Sequence, residues 1–145
     1  MEILINPDWE EKDWSELQAL YIAVEWQARE RKDLEKATRM SSWVVVIKDQ
    51  DRIIGFGRTM DDGCYYAVLV DVMIHPDYQG QGLGTKIVKL LREKLEGYLF
   101  ITLSAAPEKN GFYEKLGWRQ QSSAFIWPVS ERQEKEHCVP VAKSK

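Results

Sequence analysis

Gln79-Gly80-Gln81-Gly82-Leu83-Gly84 sets three glycines at alternate positions between two apolar segments. Glycine reaches φ > 0 without a Cβ clash and lets a ligand come close to bare backbone. Upstream lies the apolar run Val68 to Ile74, broken by Asp71, and then a turn, His75-Pro76-Asp77-Tyr78. Downstream, Ile87, Leu90, Leu91 and Leu95 recur at helical spacing. Strand, glycine turn and helix start together present N–H groups without partners and a partial positive charge, the chemistry that holds a phosphate. Two common phosphate loops do not fit. A Walker-type loop needs G-x-x-x-x-G-K-[ST], whereas Thr85 and Lys86 follow Gly84 in the opposite order. A dinucleotide fingerprint needs G-x-G-x-x-G, and the spacing here is G-x-G-x-G.

Two side chains could move protons. Asp71 is flanked by Leu69, Val70, Val72 and Met73. A carboxylate in such a run is costly unless it is hydrogen-bonded or faces a wet cleft. It is either a proton acceptor, acting through water, or a structural carboxylate tied to neighbouring backbone. Tyr113 carries a phenol with an ordinary pKa near 10, so it is protonated at neutral pH and can donate. Its neighbour Phe112 suits packing between helix and sheet.

These groups need a scaffold, and the patterning supplies one. Glu2 to Ile5 reads as a strand. Asp13 with Glu16 suggests a capping box opening a helix through Leu17, Leu20, Tyr21 and Val24. Arg31 to Arg39 reads as a second helix with an exposed charged face. Ser42 to Lys48 and Arg52 to Thr59 read as strands around the turn Asp49-Gln50-Asp51, the second interrupted by Gly55 and Gly57. Asp61-Asp62-Gly63 turns into Tyr65 to Ile74, completing an antiparallel meander. After a helix from Leu83 to Glu96, Gly97 is a stop signal. Tyr98 to Ser104 is then a buried strand, parallel to the one before the helix because a crossover joins them. Pro107 can open another helix and Gly117 close it. Trp118 to Trp127 is expected to return as one or two strands. The order β-α-α-β-β-β-α-β-α-β defines an α+β sandwich with a mixed sheet, one domain over 1–128, followed by a polar tail over 129–145 that is a short helix or frayed.

Gln79, Gly82 and Gly84 match the pattern Q/R-x-x-G-x-G/A. Phe112-Tyr113-Glu114-Lys115-Leu116-Gly117-Trp118 is similar to F-Y-x-K-x-G-F. In this order, with a strand between them, the two segments resemble the GNAT superfamily of acetyl-CoA-dependent N-acetyltransferases. The resemblance is weakest at Met1 to Arg39 and after Pro128. It implies a mixed, mainly antiparallel sheet with a splayed parallel pair and helices on both faces. It further implies that the pantetheine arm of acetyl-CoA pairs with backbone at Val72, Met73 and Ile74. The pyrophosphate would sit on Gln79, Gly80, Gln81, Gly82, Leu83, Gly84 and Thr85. An N–H near Met73 or Ile74 would stabilise the developing oxyanion. Tyr113 would protonate the departing thiolate, and Asn110 and Phe112 would be further cofactor contacts. Two departures stand out: Ala106 occupies the place of an asparagine found in many relatives, and apolar Val68 lies where some relatives carry the base.

The activity implied is acetyl transfer to a primary amine of a small molecule or protein by direct attack in a ternary complex. The alternative is a non-catalytic acyl-CoA-binding sensor on the same fold. The lack of an appended recognition domain favours a small-molecule acceptor, and a homodimer is left open. Trp26, Trp43, Trp118 and Trp127 either line a pocket for an apolar amine or pack the sheet, the second being favoured. Glu10, Glu11, Asp13 and Glu16 form an acidic cluster suited to a cationic acceptor or simply to solvent. The chain has 145 residues and a net charge of −3, which excludes the electrostatic footprint of a nucleic-acid binder. No apolar run could cross a bilayer and no signal peptide is expected. Two cysteines, Cys64 and Cys138, give no disulfide framework, and the two histidines, His75 and His137, no metal site, pointing to the cytoplasm and to no metal.

Overall fold

A computed structural model of the chain describes residues 1–142. The chain forms two compact units, Met1–Ser104 and a second from Ala105 onward. The first unit contains β1 (Glu2–Ile5), α1 (Glu11–Ala23), α2 (Arg31–Arg39), β2 (Val44–Asp49), β3 (Arg52–Asp61), β4 (Tyr66–Ile74), a single 3-10 turn (Pro76–Tyr78), α3 (Leu83–Lys94) and β5 (Phe100–Leu103). The five strands lie side by side in chain order. The first three pairings are antiparallel and β4–β5 is parallel, so the sheet is mixed as expected.

Alternation along β3 assigns the two faces. Phe56 packs with Trp14, Leu17, Leu20, Tyr21 and Leu34, which come from α1 and α2. On the opposite face, a Cβ placed on Gly57 would lie 2.5 Å from Ile87 Cγ2 and 3.1 Å from Leu91 Cδ1 of α3. Gly57 therefore interrupts the strand pattern so that α3 can approach the sheet. The apolar side of α3 is Leu83, Ile87, Val88 and Leu91, all buried, whereas Leu90 is only half-buried.

The ladder between β3 and β4 has one irregularity. Phe56 opposes Met73 and Arg58 opposes Val70, so Gly57 faces two residues, Asp71 and Val72. This is a β-bulge. Asp71 adopts φ 56°, a left-handed conformation unusual for a residue with a Cβ.

Several expectations are corrected. The capping box of α1 is formed by Glu10 and Asp13 rather than Asp13 and Glu16. Asp13 is turned inward, where its Oδ1 pairs with Lys48 Nζ at 2.7 Å and its Oδ2 accepts from the Glu10 amide at 2.9 Å. Glu11 bonds to Arg31. The acidic cluster is thus largely consumed by capping and ion pairs. The last strand is shorter than Tyr98 to Ser104 and is a half-exposed edge strand, not a buried one. In the second unit, α4 (Asn110–Lys115) begins three residues after Pro107, which lies in the turn before it. Gly117 follows α4 with φ 94°, the expected stop. No strand forms between Trp118 and Trp127. A strand persists only where a neighbour takes up its main-chain groups, and among its described residues the second unit holds no other strand. The polar tail carries a short helix, α5 (Glu131–His137), started by Ser130, whose Oγ accepts from the Gln133 amide; positions 143–145 of that tail lie outside the described residues.

Candidate active site

The β4–β5 pairing ends early. Tyr66, Ala67, Val68 and Leu69 pair with Phe100, Ile101, Thr102 and Leu103, after which β5 stops while β4 runs on to Ile74. Along the far half of β4, from Val70 to Ile74, one edge is bound to β3, and among the described residues no strand meets the other. The bulge at Asp71 lies at the start of this open edge. Main-chain groups facing that side are available to an extended ligand. The side chains there are already committed to packing: Met73 is buried in the α1 core, while Val72 and Ile74 are half-buried.

The open edge leads into the glycine loop. His75 Nδ1 accepts from the Asp77 amide at 3.1 Å, starting the 3-10 turn. Tyr78 donates its hydroxyl to Asp49, tying this turn to the β2–β3 hairpin. Gln79 turns its side chain back and donates from Nε2 to Ile74 O at 3.0 Å. Gly80 and Gly82 follow with φ 79° and 78°, and a Cβ on either would meet nothing within 4 Å. The space above both is therefore open to a ligand. Gly82 is the N-cap of α3 and Leu83 anchors its first turn in the core. The Lys86 amide reaches Gly82 O at 3.2 Å. The amides of Gly80, Gln81, Gly82, Leu83, Gly84 and Thr85 have no protein acceptor among the described residues. The first turn of α3 carries no acidic side chain, so the positive end of the helix is left uncompensated.

Asp71 is not bonded to nearby backbone. Its Oδ2 accepts from Tyr21 Oη at 2.7 Å and from Arg58 Nε at 3.0 Å. Burial, then the Asp71 carboxylate itself, pushes the Tyr21 phenol well above its ordinary range, so it remains a donor. Neither Tyr21 nor Arg58 belongs to a motif. The one signal in the sequence was a carboxylate in an apolar strand, which demands a partner without naming it.

The remaining candidates share α4 in the second unit. Tyr113 is half-buried, its ring 4.9 Å from Phe112 and 6.4 Å from Trp118 in edge-on contacts. Burial raises its phenol above 10.0, keeping it protonated. Asn110 is exposed at the first position of α4. The tryptophans serve different ends. Trp26 packs against Tyr21, Trp43 lies beneath Lys94, and Trp127 is exposed.

Among the described residues, no group of three or more His, Cys, Asp or Glu is placed to hold a metal. No helix among them is long and apolar enough to cross a membrane.

An open strand edge running into a glycine loop and a bare helix N-terminus can take an extended ligand that ends in a phosphate. Comparison with known proteins gives the family. The family model for the acetyltransferase (GNAT) domain matches residues 40–120, and the chain belongs to that family. An uncharacterized N-acetyltransferase ycf52 of Pyropia yezoensis is 37% identical over 109 residues, 71% of this chain and 63% of that protein. The chloroplastic serotonin N-acetyltransferase 2 of Oryza sativa subsp. japonica is 32% identical over 120 residues, covering 78% of this chain and 60% of that protein. The chain thus spans under two thirds of the length of these relatives. Among solved structures, a GNAT family acetyltransferase from Streptococcus pneumoniae superposes with a TM-score of 0.74 at 25% identity, over 90% of this chain and 98% of that one.

Proposed function

We propose that this chain transfers an acetyl group from acetyl-CoA to a primary amine, on a small molecule or a protein, by direct attack in a ternary complex. The observation that carries the reading is the edge of β4 that no strand meets, leading to six amides, Gly80 to Thr85, without a protein acceptor among the described residues. The site fits the coenzyme: Gly80 and Gly82 leave room where a side chain would stand, and the amides with the α3 N-terminus match a diphosphate.

Bound acetyl-CoA would supply the thioester carbonyl. The chain's residues then have distinct tasks. Backbone at Val72, Met73 and Ile74 holds the pantetheine arm by strand addition. An N–H at Met73 or Ile74 donates to the carbonyl oxygen as negative charge gathers there. Tyr113, kept protonated by burial, holds the proton that the thiolate needs on leaving. Asn110 and Phe112 are the further coenzyme contacts proposed on α4. An ammonium acceptor must lose a proton before attack. The free thiols of Cys64 and Cys138 accord with a reducing compartment such as the cytoplasm.

Thiol release from acetyl-CoA across an amine panel tests the reading. The panel leads with arylalkylamines, because the rice relative bears the name of a serotonin acetyltransferase, and includes polyamines, amino acids, amino sugars and a lysine peptide. Turnover with any of them supports transfer. Tight coenzyme binding with no turnover across the panel would replace it with a binding role.

A further inference from the structure

Residue 71 lies two positions past the last β4–β5 pair, Leu69 with Leu103, and it is held in a conformation that a Cβ disfavours. Something must hold it there. Its carboxylate is gripped from two other elements, by Tyr21 of α1 at 2.7 Å and Arg58 of β3 at 3.0 Å. Arg58 is fixed in turn by Ser41 Oγ at 3.2 Å, beyond the end of α2. The Arg58 and Asp71 side chains are only 13% and 15% exposed, so the pair is shielded from competing water. Both donors converge on one oxygen, Oδ2. The two grips therefore act on a single atom and fix the direction in which the side chain leaves the strand.

We propose that Tyr21 and Arg58 are positioning residues: through Asp71 they hold residue 71 in its left-handed conformation and keep the edge of β4 turned away from β5. Asp71 thereby serves the shape of the opening. The inference rests on the reading of that opening as the coenzyme cleft.

Two double variants of the full chain separate conformation from carboxylate chemistry, Asp71→Gly/Arg58→Met and Asp71→Ala/Arg58→Met. Methionine keeps the stem of Arg58 without leaving a buried guanidinium unpaired. Both variants lack the carboxylate, but glycine accepts φ 56° freely whereas alanine does not. The glycine variant is expected to exceed the alanine variant about tenfold in kcat for thiol release, the scale of the left-handed penalty. KM for the amine should be equal in the two, with both unfolding well above the assay temperature. Equal kcat, whether both are active or both dead, overturns the proposal. If the wild type turns over no amine, the transfer reading fails first. Calorimetry with acetyl-CoA then carries the same comparison: about tenfold tighter binding by the glycine variant supports the proposal and equal affinity overturns it. Should the alanine variant not fold, Tyr21→Phe replaces it. It should lower kcat severalfold, and adding Asp71→Gly/Arg58→Met should restore part of the loss; no restoration overturns the proposal.

Discussion

Gly57→Ala tests how closely the sheet and α3 are fitted. The added methyl would stand 2.5 Å from Ile87 Cγ2, 3.1 Å from Leu91 Cδ1 and 3.5 Å from Val72 Cγ2. The first contact is a clash that Ile87 cannot relieve by rotation, because a β-branched side chain in a helix has essentially one χ1 state. Nor can it yield outward, since Ile87 and Leu91 are fully buried. The helix must therefore lift. Overpacking of this kind costs about 1–3 kcal/mol. Removing a glycine from a strand returns about 0.5–1 kcal/mol. The net loss centres on about 1 kcal/mol, or roughly 4 °C in Tm for a chain of this size. Urea unfolding followed by circular dichroism measures it. A companion change, Ile87→Ala, removes the clashing methyl. The double variant should then lose less than the sum of the two single changes by about 1 kcal/mol. Gly57→Ala unfolding with wild-type midpoint and slope would refute the close fit of α3 to β3. So would strict additivity with Ile87→Ala.

Lys48→Met leaves the Asp13 carboxylate, 3% exposed, without its ammonium and should cost about 3 kcal/mol at pH 7 by urea unfolding. In the wild type, burial pushes the Asp13 carboxyl up, but the bond and charge of Lys48 and the Glu10 amide outweigh it and leave it below 3.8. A depressed folded pKa means that this stability is present above 3.8 and fades as pH falls through the folded value. The gap between wild type and Asp13→Asn should accordingly close at the acid end of a pH series of unfolding curves. Gly82→Glu should abolish coenzyme binding in calorimetry, by placing bulk and negative charge beside the bare amides. Its side chain meets no neighbour but is strained at φ 78°, by about 1–2 kcal/mol. Gly82→Ala, with the same strain and no charge, is therefore the control, and unchanged affinity in Gly82→Glu refutes the placement. Tyr113→Phe should lower kcat by about a hundredfold. In the wild type, the alkaline loss due to this phenol should lie above pH 10, since burial raises it.

Much of the first unit was legible because its signals are local. Val44 to Ile47 is β-branched, the hairpin turns carry Asp, Asn-like Gln50 and Gly, and the spacing of Ile87, Leu91 and Leu95 is helical. The glycine loop is legible for a stricter reason, since φ near 79° at Gly80 leaves few alternatives to glycine. What escaped is what depends on residues distant in sequence. Asp13 looked like a cap at the surface and is a buried ion-pair partner, because Lys48 lies across the fold on β2. The roles of Tyr21 and Arg58 depend on a bulge that no composition rule marks. Trp118 to Trp127 was expected as one or two strands, but pairing is a property of neighbours, and the segment alone could not supply one.

The extra residue at position 71 has a consequence for how this architecture could vary. Met73 opposite Phe56 and Val70 opposite Arg58 keep the buried side chains in phase on either side of the irregularity. Deleting one residue there would give an unbroken ladder with the same hydrophobic partners and no frameshift of the interior. A one-codon deletion would thus keep the hydrophobic register while erasing the local contour. Combined with Arg58→Met, which removes the guanidinium that Asp71 neutralises, it would part tolerance of length change from retention of activity at a single position.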